Sequence, residues 1–89
     1  MKKIEKEDVV KVTVTGIQKY GVFVGNDDYN GLIHISEISE KFVRNVFDYV
    51  SLDEEIISRV IDVDDDNKRL KLTIKNLDYR IEDNKEKVL

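Results

Sequence analysis

The chain has 89 residues, enough for one small domain, and a domain of that size buries only about 60–65% of the surface its unfolded form exposes. With 40% hydrophobic and 38% charged residues it is too apolar and too periodic for a disordered chain, and the absence of cysteine excludes a disulfide framework or a thiolate metal site. The formal net charge of −4 argues weakly against a nucleic-acid partner, because phosphate binding draws on cation clusters, yet it leaves room for a local basic patch and for stacking, which needs no net charge.

The N-terminal "MKKIEKEDVV" carries lysines but no apolar core of a signal peptide, and no apolar run approaches a membrane span. A cytoplasmic location is therefore expected, and the initiating Met1 disfavours a fragment of a larger enzyme. The first strand is "VVKVTVTGI", Val9 to Ile17, in which Val10, Val12 and Val14 face one way and Lys11, Thr13 and Thr15 the other. That period of two with β-branched residues predicts a half-buried strand. In "YGVFVG", Tyr20 to Gly25, Val22 and Val24 share one face and Phe23 points to the opposite one. Glycine tolerates the backbone angles of a bend, so Gly21 is read as a bulge or sharp bend that lets Tyr20 join Phe23. "NDDYNG", Asn26 to Gly31, reads as a turn, and "GLIHI", Gly31 to Ile35, as a third strand.

From Ser36 the alternation stops. "SEISEKFVRNVFDYVSLDEE" spaces Ile38, Phe42, Val43, Val46, Phe47 and Val50 by steps that suggest short helical turns. "EIISRVIDV", Glu55 to Val63, returns to strand character with Ile56, Ser58 and Val60 on one side. "DDDNK" is a turn, and "RLKLTIK" alternates with Leu70, Leu72 and Ile74 inward. The residues from Asn76 to Leu89 read as a tail, a short helix or a frayed end, which leaves residues 1–75 as the domain. Five short strands bury a core most economically by curling into a small barrel. The third-to-fourth connection then crosses one end as a plug, which accounts for its apolar residues.

In order and at fitting spacing, "GIQKYGVFVGNDDYNGLIHISEIS" and "VIDVDDDNKRLKLTIK" resemble the S1-type RNA-binding domain, over roughly Asp8 to Lys75. The family is named for the repeats of a ribosomal protein, and this chain resembles its stand-alone, single-domain bacterial forms. The resemblance implies an all-β, five-stranded antiparallel OB-fold barrel whose nucleic-acid face lies on the second and third strands. It also implies RNA contacts at Tyr20, Phe23, His34, Asp64 and Arg69. Glycine is usual in the family where this chain has Glu7, Val12 and Asp53.

The chemistry of these residue types fits that implication. Exposed rings at Tyr20 and Phe23 offer flat apolar faces on which any base can stack. An imidazole at His34 can stack or, when protonated, meet a phosphate. Arg69 would contact a phosphate or stack its guanidinium plane, Lys19 and Lys71 would add electrostatic help, and Asp64 would hold Arg69 or read a base edge. Single-stranded RNA is the expected ligand, because only unstacked bases expose their faces.

Asp62, Asp64 and Asp66 have the one-three-five spacing of a calcium loop, but the loop glycine is replaced by Asn67 and the final glutamate by Thr73, so an aspartate-rich turn is the better reading. With one histidine, no cysteine and no phosphate-cradling glycine loop, catalysis is not expected, and neither a metal nor a cofactor is. A monomer is expected, with no membrane partner. The competing expectation is a protein-interaction module that docks on the ribosome or an RNA-processing protein, with Phe23 and Tyr20 as an interface hot spot.

Overall fold

The computed structural model describes residues 3–81 and 88. Its strands are β1 (Val9–Gln18), β2 (Gly21–Gly25), β3 (Asn30–His34), β4 (Glu55–Asp64) and β5 (Arg69–Thr73), hydrogen-bonded as a closed barrel in the order β1-β2-β3-β5-β4. An odd number of strands cannot alternate direction all the way around a closed ring. The antiparallel barrel implied by the family resemblance is therefore antiparallel at four seams and parallel at the fifth, where Asn30, Gly31 and Leu32 of β3 pair with Arg69, Leu70 and Lys71 of β5.

The two ten-residue strands wrap the barrel. The N-terminal half of β1 pairs with β4, and its C-terminal half pairs with β2 after a bulge between Val14 and Gly16. β4 is bulged between Val60 and Asp62 where it passes to β5. Extra residues at these points bend and twist the long strands enough to serve two neighbours each. Gly21 is not a bulge. It pairs in register with Gln18 and His34, and a Cβ on it would lie 2.4 Å from the Ile33 carbonyl oxygen. Close backbone approach, not a bend, is what excludes a side chain there.

The alternating residues meet inside. Val10, Val12 and Val14, Val22 and Val24, Ile33, Ile56 and Val60, and Leu70, Leu72 and Ile74 form one buried cluster, with Ser58 also enclosed. Tyr29, placed by the sequence in a turn, joins this cluster with its ring buried.

Two 3-10 turns, Ile35–Glu37 and Val46–Asp48, make up the regular part of the connection between β3 and β4. Ile38, Val43, Val46 and Val50 cap the barrel end, whereas Phe42 and Phe47 point outward, 88% and 60% exposed. The expected plug is thus formed by the aliphatic residues alone, because β-branched side chains fill the barrel end and leave no volume for two rings.

The N-terminal half of β4 has no β5 neighbour, and the chain returns to cover it. Ile57 N donates to the Tyr79 carbonyl at 2.8 Å, and Ile56 forms an antiparallel bridge with Arg80. Residues 82–87 and 89 of the expected tail lie outside the described residues. Among the described residues no helix is long and apolar enough to cross a membrane.

Candidate nucleic-acid interface

Strand parity sends Phe23 outward between the buried Val22 and Val24, and it stands opposite Gly16 on β1 and Leu32 on β3. Lys19 and Tyr20 form the two-residue turn between the paired Gln18 and Gly21, so Tyr20 belongs to the hairpin tip and not to the strand. The turn swings its ring against Phe23, centroids 6.0 Å apart and planes at 88°. Edge-to-face contact of this kind stabilises both rings in place while leaving their free faces open. Tyr20 is 50% exposed and Phe23 37%.

His34 is exposed and is the register partner of Gly21. The next residue, Ile35, donates its N–H to the Tyr20 carbonyl at 2.8 Å, which sets His34 beside the ring pair. His34 Nδ1 accepts from the Ser36 backbone N–H at 3.2 Å and lies 2.8 Å from Ser36 Oγ. With Nδ1 occupied, Nε2 is the nitrogen left to face a ligand.

Beyond Phe23 a groove of about 610 Å³ follows the parallel β3–β5 seam, lined by Phe23, Leu32, Asp64, Arg69 and Lys71 among others. Gly31 has inward parity beneath it, and a Cβ there would lie 2.7 Å from Cδ1 of the core residue Leu72. Arg69 and Lys71 share the outward face of β5. The Asp64 carboxylate does not hold Arg69. Its Oδ1 accepts from Asn67 N at 3.2 Å and its Oδ2 from Asn67 Nδ2 at 2.9 Å. Those bonds, with a smaller contribution from Arg69, hold its carboxyl below the usual carboxylate range. Asp64 therefore fixes the β4–β5 turn from which Arg69 emerges.

Of the residues singled out in the sequence, Tyr20, Phe23 and His34 come together, and Asp64, Arg69 and Lys71 line the adjoining groove. Lys19 does not join that groove. It lines a separate depression of about 420 Å³ with Ile35, Arg44 and Phe47. The aspartates of the calcium-like spacing turn to different partners: Asp62 to the Val63 N–H and to Lys6, Asp64 to Asn67. Among the described residues no group of three or more metal-ligating side chains gathers. Leu32 was not singled out, although its parity opposite Phe23 marks it as part of the same outer wall.

Comparison with known proteins places this arrangement. The model of the S1 RNA binding domain matches residues 3–75. Small ribosomal subunit protein bS1 of Helicobacter pylori is 40% identical over 80 residues, which are 88% of this chain and 14% of that protein. General stress protein 13 of Bacillus subtilis is 36% identical over 82% of this chain and 57% of its own length, and its solution structure superposes with a TM-score of 0.77. A chain of the a/eIF2α–aDim2p–rRNA complex from Pyrococcus horikoshii is 30% identical, with a TM-score of 0.77 over 85% of this chain and 47% of that one. The chain thus spans about a seventh of the ribosomal relative and little more than half of the stress protein. With the barrel, the outward rings and the family match in agreement, the chain belongs to the S1 RNA binding domain family.

Proposed function

We propose that this chain is a non-catalytic module that binds single-stranded RNA by stacking bases on Tyr20 and Phe23, with His34, Arg69 and Lys71 supplying polar and phosphate contacts. The observation that carries the proposal is the pair of exposed, mutually braced rings on the barrel wall. Exposure alone does not single these rings out, since Phe42 and Phe47 are more open; their mutual contact does, and a flat ring beside a groove with two cations fits a base and its phosphate. In this reading residues 1–75 act as a cytoplasmic monomer without a cofactor. Relatives named as a ribosomal protein and as translation initiation factor 2 subunit alpha, and a similar chain in a complex that contains rRNA, support a translation-related setting.

Two stacks and a few phosphate contacts give about −5 to −8 kcal/mol, or roughly 200 μM to 1 μM, so useful occupancy calls for a second anchor such as the ribosome or an RNA-processing protein. The test is titration of a short unstructured RNA into the wild type and Phe23→Ala at low salt. Binding by the wild type and a loss of about 1–3 kcal/mol in the variant, with the fold retained, supports the proposal. No binding by the wild type refutes it and leaves the protein-docking reading.

A further inference from the structure

The depression beside Lys19 differs in chemistry from the groove beside Phe23. The Phe23 groove mixes Arg69 and Lys71 with Asp62 and Asp64. No carboxylate lines the second depression, which presents Lys19, Arg44 and the exposed ring of Phe47 over an apolar base of Ile17 and Ile35. A surface lined by cations and no acid, on a chain of net charge −4, is a local reversal of sign. Neither Lys19 nor Arg44 forms an ion pair with a described residue.

The depression adjoins the Tyr20–His34 side of the ring site along the backbone. Lys19 precedes Tyr20, Ile35 follows His34, and the 2.8 Å hydrogen bond from Ile35 N to the Tyr20 carbonyl is their common wall. The loop is held for this role by bonds that do not use its outward groups. Asn45 Oδ1 caps the Phe47 N–H at 3.0 Å, and Val43 and Val46 anchor it in the barrel end.

We infer that this depression is a second subsite for the same single strand, with a base stacked on Phe47 and a phosphate between Lys19 and Arg44. The inference rests on the RNA-binding reading above and deepens it. Cations unpaired among the described residues, in a lining without carboxylates and together with an open ring, match a polyanion that carries flat bases better than they match an apolar protein surface. The subsite would lengthen the bound segment from the few nucleotides that Tyr20, Phe23 and His34 can engage toward the upper part of the range seen for such barrels, about 4–16 nucleotides.

The test compares tetrauridylate and octauridylate binding to the wild type, Arg44→Ala, Phe47→Ala and Phe23→Ala at low salt. An octamer offers a one-site protein about five registers of four nucleotides, so a gain of about fivefold is statistical, and a two-subsite surface gives more than that. The expected result is an octamer gain of about fiftyfold or more in the wild type. Arg44→Ala and Phe47→Ala each remove about five- to tenfold of it while tetramer affinity stays within about twofold. An octamer gain no larger than fivefold, or one that both substitutions leave intact, overturns the second subsite. Equal weakening of tetramer and octamer by Arg44→Ala also overturns it. If instead the tetramer binds without dependence on Phe23, the primary reading fails, while a gain lost in Arg44→Ala and Phe47→Ala still supports the second subsite. Absence of wild-type binding to either RNA overturns both.

Discussion

The Tyr29 hydroxyl, at the end of the β2–β3 turn, donates to Asp65 Oδ1 in the β4–β5 turn at 2.9 Å. Lys3 closes the same contact with its Nζ 3.1 Å from Asp65 Oδ2, and the Lys68 ammonium sits 5.1 Å from the Tyr29 ring centroid. Three segments distant in sequence are thus tied where the parallel seam begins. The bonds from Lys3 and then Tyr29 hold the Asp65 carboxyl below its usual value. A carboxyl depressed in the folded state stabilises that state above the unfolded pKa, and the contribution is lost as pH falls through the folded value. Urea midpoints measured from pH 7 down to pH 2 should therefore fall in the acid range, and Asp65→Asn should flatten that fall while lowering the midpoint at pH 7. An acid limb unchanged in Asp65→Asn would show that the tie contributes nothing.

Strict alternation made much of this barrel readable. Val10, Val12 and Val14 and Leu70, Leu72 and Ile74 turn inward as their period requires, and Phe23 turns out because its neighbours are valines that the core takes. Alternation says nothing about which strands close the ring, so the parallel seam emerges only from strand count and pairing. Where the period lapses, inside and outside cannot be assigned. Phe47 and Val46 look alike as apolar residues of a plug, yet the smaller one fills the barrel end and the larger one is left in water. Tyr29 was masked by its polar turn neighbours, since a turn composition describes backbone angles and not where one ring goes. The Asp64–Asn67 contact has the local spacing of a side-chain-closed turn, whereas opposite charge alone suggests a pairing of Asp64 with Arg69 that the carboxylate, engaged by Asn67, does not make.

The three positions at which the family resemblance implies glycine make a second prediction. Glu7 and Asp53 keep left-handed backbones, with φ of 74° and 67°. Each is locked by its own N–H, which donates to Val60 O and Val14 O respectively. Side chains other than glycine resist this region, so Glu7→Gly and Asp53→Gly should each stabilise the fold by about 0.5–1 kcal/mol. Val12 is different: it lies in regular β1 with its side chain buried in the core. Val12→Gly should cost about 3 kcal/mol through the cavity and the added backbone freedom. Chemical denaturation of the three variants checks the opposite signs, and destabilisation by Asp53→Gly would contradict the account.

The Tyr20–Phe23 contact predicts coupling. Each ring braces the other at 6.0 Å, so losing one loosens the platform that remains. Tyr20→Ala and Phe23→Ala should each weaken binding to an unstructured RNA by about 1–3 kcal/mol, and the double variant should lose less than the sum. Isothermal titration of the four proteins gives the cycle. Strict additivity would mean that the two rings serve separate bases without supporting one another.

Arg69 and Asp64 are separable by salt. Each phosphate neutralised on a single strand contributes a slope of about −0.7 in log affinity against log salt, so two to four contacts give about −1.5 to −3 for the wild type. Arg69 emerges into the Phe23 groove without a bond to Asp64, and Arg69→Ala should both weaken binding and make the slope shallower by about 0.7. Asp64 carries the charge of the wrong sign for a phosphate and is engaged by Asn67 through both oxygens. Its removal in Asp64→Ala loosens the β4–β5 turn that aims Arg69, which weakens binding while leaving the number of neutralised phosphates, and so the slope, unchanged. Were Asp64 merely a repulsive charge in the groove, Asp64→Ala would instead tighten binding at low salt. Affinities measured at three or four salt concentrations for the wild type and both variants tell the two cases apart by the sign of the change alone.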